Sequence, residues 1–164
     1  MSISKDLRVG EAAENRIILL LQAAKIKAVK NDDKSTKSDY DLQCSIDKQP
    51  FTVEVKHDLY ASKSGNVAIE IFNPKSGKNS GLNITKADLW CHIVNGEAHF
   101  ISTKKLKQFV ADTKPKRVVG SGGDDNASLL LFATDTILPH FTRLNDLKPK
   151  QVKILIKKLL KDGV

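Results

Sequence analysis

Two short stretches alternate strictly between apolar and polar residues, one turn apart. Asp41 to Ile46 puts Leu42, Cys44 and Ile46 on one face and Asp41, Gln43 and Ser45 on the other. Phe51 to Lys56 puts Phe51, Val53 and Val55 on one face and Thr52, Glu54 and Lys56 on the other. A period of two is strand periodicity. Asp47-Lys48-Gln49-Pro50 between them reads as a turn, so the pair predicts a hairpin with one buried face. Its polar face carries Glu54 and Lys56 side by side, thirteen residues after Asp41.

The other elements follow from the same kind of reading. Residues 7–29 predict an amphipathic helix, with Ile17, Leu20, Leu21, Ala24 and Ala28 at three- and four-residue steps. Val67 to Phe72 predicts a third strand, and residues 73–83 a polar loop. Thr85, with Asp88 three residues on, reads as the cap of a short helix reaching about Leu89. Trp90–Val94 and Ala98–Ile101 form a strand pair turning at Asn95-Gly96, and Thr103–Ala111 is helical. Gly120 to Asn126 is a flexible glycine-rich loop, Ser128–Ala133 a late strand, and 148–161 a basic amphipathic helix. The expected fold is α/β: one domain over 1–164, its core at about 7–111 and a C-terminal extension at 112–164.

Composition narrows the class. The chain has 164 residues, 40% apolar and 28% charged, which suits one globular domain. The longest apolar run, Ile17 to Leu21, is too short to cross a bilayer, and the first residues lack a secretory signal. Cys44 and Cys91 fall in expected strands and read as buried thiols, so a cytoplasmic setting is expected. The four histidines show no zinc-ligand spacing. A net charge of +8 favours polyanions, nucleic acid first. Aromatic content of 5% argues against a single-strand binder built on base stacking.

Asp41 and Glu54 on neighbouring strands can bring two carboxylates together. Mg²⁺ takes hard oxygen ligands, usually one or two carboxylates plus water and phosphate oxygens. The Val55 carbonyl is a candidate further ligand. Lys56 would sit beside a scissile phosphate, orienting water and balancing charge on the phosphorane. Glu14 borders the apolar stripe of the first helix, where a charge is costly without a partner such as a metal. A Glu-x-Lys on a solvated strand is common; Asp41, Glu14 and the element order give this one its meaning.

These residues resemble the motifs of the PD-(D/E)xK phosphodiesterase superfamily, the restriction-endonuclease-like fold. Val9 to Ile17 resembles the first helix of archaeal Holliday-junction resolvases, where a Gly-x-x-x-Glu-Arg pattern carries the helix acid; that alignment favours Glu14 over Glu11. Asp39-Tyr40-Asp41-Leu42 resembles the Asp motif, with Tyr40 where the family name has proline. Glu54-Val55-Lys56 matches Glu-x-Lys, and Gly65–Glu70 through Gly81–Trp90 looks like the third strand and second helix of phage-type members. The resemblance covers roughly residues 7 to 100. It implies a central mixed sheet flanked by helices in the order αβββαβ. It also implies Mg²⁺- or Mn²⁺-dependent cleavage of DNA, leaving 5′-phosphate and 3′-hydroxyl ends.

Several outer residues join the candidate list. Glu70 and Glu11 are candidate acids behind the metal ligands. Lys75, Lys78, Asn79 and Ser80 read as a DNA-contacting loop, and Lys86 as a phosphate contact at a helix start. Arg117 stands near the glycine-rich loop. His57, on the opposite strand face from Lys56, reads as a core or edge histidine. The expected partner is double-stranded or branched DNA, met by a homodimer or higher homo-oligomer with one active site per strand. Holliday-junction resolution, site-specific cutting, phage DNA processing, RNA cleavage and non-catalytic DNA binding are the open alternatives.

Overall fold

The computed structural model describes residues 3–73, 76–120 and 128–164, with side chains from residue 8 onward. Helix α1 (Ile3–Ala23) precedes β1 (Lys27–Lys30), β2 (Leu42–Ile46) and β3 (Gln49–Asp58). Next come α2 (Ala61–Ser64), β4 (Asn66–Asn73), β5 (Lys78–Asn79) and a single 3₁₀ turn at Gly81–Asn83. The chain continues through β6 (Leu89–Val94), β7 (Glu97–Ser102), α3 (Thr103–Asp112), β8 (Arg117–Val119) and β9 (Ser128–Ala133). It ends with α4 (Thr134–Ile137), a second 3₁₀ turn, β10 (Thr142–Arg143) and α5 (Pro149–Asp162).

The central sheet has six strands in the order β1-β2-β3-β6-β7-β10. It is mixed: β3 and β6 run parallel and every other neighbouring pair antiparallel. A second, antiparallel sheet has the order β5-β4-β9-β8. One face of the central sheet packs on α1 and α5 through Ile17, Leu21, Val53, Val55, Ile156 and Leu159. The opposite face packs Trp90 and Ile101 against Val67, Ile69 and Phe132 of the second sheet and Leu106 of α3. The chain is therefore an α/β domain with a mixed central sheet flanked by helices. Residues beyond 111, expected as an extension, complete both sheets and supply α5.

Four differences from the sequence expectation have local causes. The first helix stops at Ala23 instead of reaching 29. Ile26 N–H donates to the Leu21 carbonyl (3.0 Å), Lys25 N–H to that of Gln22 (2.9 Å), and Lys25 takes φ 60°. That is a Schellman stop with lysine where glycine is usual. The freed residues make β1, whose Ala28 enters the core. The strand over 67–72 forms, but it joins the second sheet and not the central one. No helix forms over 85–89: Thr85 and Asp88 turn to β3 instead. Asp88 Oδ2 accepts from Thr52 N–H (2.8 Å) and the Thr52 hydroxyl (3.1 Å). Because β6 is parallel to β3, a long crossover is required, and β4, β5 and the 3₁₀ turn provide it.

The turn expected over residues 47–50 tightens to Asp47-Lys48 (φ 47° and 67°), with Gln49 and Pro50 joining β3, and Asn95-Gly96 (φ 53° and 76°) turns as expected. Cys44 and Cys91 are buried and free. Gly81 is held at φ +53°, and a Cβ there would lie 2.2 Å from the Glu70 carbonyl oxygen. Gly81→Ala is therefore expected to destabilise the fold by about 2–3 kcal/mol through strain and forced displacement of β4. Urea unfolding reads this directly; an unchanged midpoint would show that β4 yields freely.

Candidate functional site

The site forms where β2 ends short of β3. Register places Leu42 opposite Val53, so Asp41 is the first residue past the ladder. Its N–H donates to the Val53 carbonyl (3.0 Å), and its Oδ2 accepts the Val55 N–H (2.8 Å). The side chain thus takes the place of the missing strand partner. An extended residue turns its N–H and C=O to the same edge, so the Val55 carbonyl also faces Asp41.

Glu54 and Lys56 share one face of β3, as their phase requires. Lys56 Nζ lies 3.1 Å from Glu54 Oε1 and 5.9 Å from the centre of the Trp90 ring. Glu54 is only 8% exposed, and its Oε2 lies 3.3 Å from the Thr85 hydroxyl. Burial pushes the Glu54 carboxyl up to about 7; Lys56 opposes this and Asp41 adds to it. Burial also raises Asp41, against the Val55 N–H and the Lys56 charge. Lys56 itself is drawn down by burial but lifted more by Glu54, Glu70 and Asp41, so it ends above its ordinary value. It is a cation held by acids.

Glu14 reaches the same place from α1. It borders a cleft of about 360 Å³ walled also by Ala13, Asp41, Val55, Lys56 and His57. Burial and Asp41 raise its pKa, and Lys30 stands 4.0 Å away. Glu11 is exposed and outside this cleft, and its charge adds to the rise at Glu14. A second cleft of about 220 Å³ adjoins at Lys56 and His57 and is walled by Tyr60, Glu70, His92 and Leu129. Glu70 lines this cleft with Lys56 and lifts its pKa through charge, at a register shift between β4 and β9.

Two features escaped the sequence reading. His57 lines both clefts, with its buried Nδ1 unpartnered among the described residues, and burial lowers its pKa. Below Lys56, Trp90 Nε1 donates to His92 Nδ1 (3.2 Å), and His92 Nε2 meets Asp58 Oδ2 (3.1 Å). The indole bond leaves the imidazole proton on Nε2, pointing at the carboxylate. Asp58 also accepts the Ala61 and Ala68 N–H groups, tying β3 to α2 and β4. The Trp-x-His spacing on one strand face was the available signal.

The expected DNA contacts do not form one patch. Lys78 and Asn79 are exposed on β5, at one edge of the second sheet; Arg117 is exposed on β8, at the other. Ser80 Oγ is buried, without a hydrogen-bond partner among the described residues. Lys86 starts no helix and pairs with Asp39 at 3.3 Å. Lys75 and residues 121–127 of the glycine-rich loop lie outside the described residues.

Among the described residues, no three His, Cys, Asp or Glu side chains form a ready-made metal cage. The donor set is smaller: Asp41, Glu54 and the Val55 carbonyl, with Glu14 across the cleft. A buried glutamate whose ionisation is made costlier by burial and by a neighbouring aspartate suits a divalent cation that keeps several waters. In comparisons with known proteins, the chain matches no family model, no curated protein and no solved structure.

Proposed function

We propose that the chain is a metal-dependent DNA endonuclease of the restriction-endonuclease-like type, leaving 5′-phosphate and 3′-hydroxyl ends. The observation that carries the reading is the meeting of Asp41, Glu54 and Lys56 at an open strand end beside a cleft. The element order departs from the αβββαβ order implied by the resemblance, since the strand at 67–72 joins the second sheet and no helix forms over 85–89; what supports the reading is the first helix, the antiparallel strands β1–β3 and the parallel strand β6 beside β3. Here the crossover carries β4 and β5 in place of a long helix.

Asp41, Glu54 and the Val55 carbonyl would hold Mg²⁺ or Mn²⁺, with Glu14 as an outer or second-metal acid. When bound, the ion supplies Lewis-acid polarisation of the phosphate and a more acidic water. The chain's own residues do the rest. Lys56 stays protonated, so it serves as a fixed positive charge and not as a general base. From its position it orients the attacking water and offsets negative charge as the 3′ oxygen leaves. Glu54 holds Lys56 in place and is itself steadied by Thr85. Trp90 and the His92–Asp58 pair fix the floor beneath the ammonium.

The test is a cleavage panel with Mg²⁺ or Mn²⁺: a four-way junction, random duplex, single strand and RNA. DNA cleavage that stops in EDTA is expected. Junction preference assigns a resolvase, and one discrete cut in a long duplex a site-specific enzyme. If the purified protein cuts none of the four, the reading fails. Two active sites per duplex call for a homodimer or higher oligomer. Sizing in solution with DNA checks it, and a strict monomer throughout counts against it. Among the described residues no helix is long and apolar enough to cross a membrane, and the proposed place of action is the cell interior.

A further inference from the structure

A cavity of about 540 Å³ lies at the start of α3, separate from the clefts lined by Glu14, Asp41 and Lys56. Its walls include Gln49, Thr85, Asp88, Thr103, Lys104 and Lys107. We propose that this cavity binds a phosphate group.

The first turn of α3 carries no acid, although the positive end of a helix dipole favours one there. It carries lysines instead, an arrangement unfavourable to folding alone. Lys105 is balanced by Asp162 at 3.0 Å, and Lys104 Nζ donates to a main-chain oxygen of Val164 at 3.1 Å. Lys107 has no polar partner among the described residues. The one wall carboxylate, Asp88, is occupied by the Thr52 N–H and hydroxyl. Two lysines and one committed carboxylate side chain line the cavity.

Unused donors point the same way. At the helix start, Thr103 N–H donates to the Asp88 carbonyl (3.0 Å) and Lys105 N–H to Ser102 Oγ (3.2 Å). The Lys104 N–H is left over among the described residues. Thr103 is 5% exposed, and its hydroxyl oxygen is buried without a partner among the described residues. Burying an unpaired hydroxyl is costly and needs a reason. A phosphate supplies several strong acceptor oxygens, and helix starts with free N–H groups are natural seats for it. The Thr103 hydroxyl, the Lys104 N–H, both lysine ammonium groups and the Gln49 amide are the donors offered. Thr85 belongs to this wall and also touches Glu54, so the cavity backs onto the proposed cleavage site.

The phosphate has two sources with the same chemistry: the backbone of a nucleic-acid strand, or free phosphate and its monoesters. The experiment is an amide-resolved NMR titration of the intact protein with inorganic phosphate, repeated with a short DNA oligonucleotide. Phosphate is expected to shift the Thr103 and Lys104 amides first. Lys104→Ala with Lys107→Ala is expected to weaken it by about tenfold or more. Lys27→Ala with Lys34→Ala, exposed lysines elsewhere, serves as control and should change affinity less than about twofold. Thr103→Val should weaken phosphate binding yet raise the melting temperature of the phosphate-free protein, since it removes an unpaired buried hydroxyl. Competition between oligonucleotide and phosphate assigns the strand backbone; phosphate binding without competition assigns a free phosphate. No shift at α3, or equal losses in the control, overturns the proposal. Binding is repeated on Lys56→Ala, so loss of cleavage and loss of phosphate binding are read apart.

Discussion

Lys56→Ala is expected to lower DNA cleavage by about 10³-fold, the scale of losing one charge-stabilising group in a site of this type. Two effects combine. The positive charge beside the phosphate is gone. The Glu54 carboxyl also loses the cation that restrains its pKa, so it rises further above about 7. At neutral pH the variant then holds a proton where the metal needs a carboxylate. The two effects separate by pH: raising it to 9 should restore metal affinity but not the rate. DNA binding in Ca²⁺ or EDTA should be largely spared, because one lysine of many contributes little to backbone affinity. The fold is checked by circular dichroism at pH 6, where a neutral Glu54 does not need Lys56. A variant that cuts at near wild-type rate would remove Lys56 from the site.

The central features of this site were legible because they obey strand phase. Val53 and Val55 enter the core as the alternation requires, which obliges Glu54 and Lys56 to share the other face. The Asn95-Gly96 turn and the apolar side of α5 were readable for the same local reasons. What was not legible depended on distant partners. Lys25 adopts a left-handed conformation that glycine would have advertised, so the end of α1 and the whole of β1 were hidden. Val67 to Phe72 looks like any half-buried strand; its place in the second sheet is decided by Leu129–Phe132, some sixty residues later. Thr85 and Asp88 carry a helix-cap spacing, but the Asp88 carboxylate is taken by the Thr52 N–H and hydroxyl, and the Thr85 hydroxyl donates to Glu54. His57 escaped because its phase points away from Lys56, while the clefts curve around the strand end to meet both.

The buried acids make a second large prediction, on stability. Glu54 ionises near 7 in the folded chain, against 4.5 for an ordinary glutamate. Between those values the folded state holds a proton that the unfolded state has lost. Stability contributed by this group therefore falls as pH rises through that window. A shift of this size is worth up to about 3.4 kcal/mol at 1.36 kcal/mol per pH unit. Asp41 and Glu14 shift in the same direction and add to the fall. His57 and His99 have lowered values, so they oppose it below about pH 6.5. Comparison with Glu54→Gln cancels the histidines. Urea unfolding at pH 5 to 8 without divalent ions should show wild type losing about 2–3 kcal/mol relative to that variant. Mg²⁺ at a hundred times its dissociation constant should return about 2.7 kcal/mol to wild type at pH 8, and almost nothing to Glu54→Gln. A wild-type stability that stays level with the variant across this range would mean that Glu54 is already ionised when buried, fully balanced by Lys56. The site would then have no electrostatic need for a metal, and the proposed cofactor would lose its physical basis.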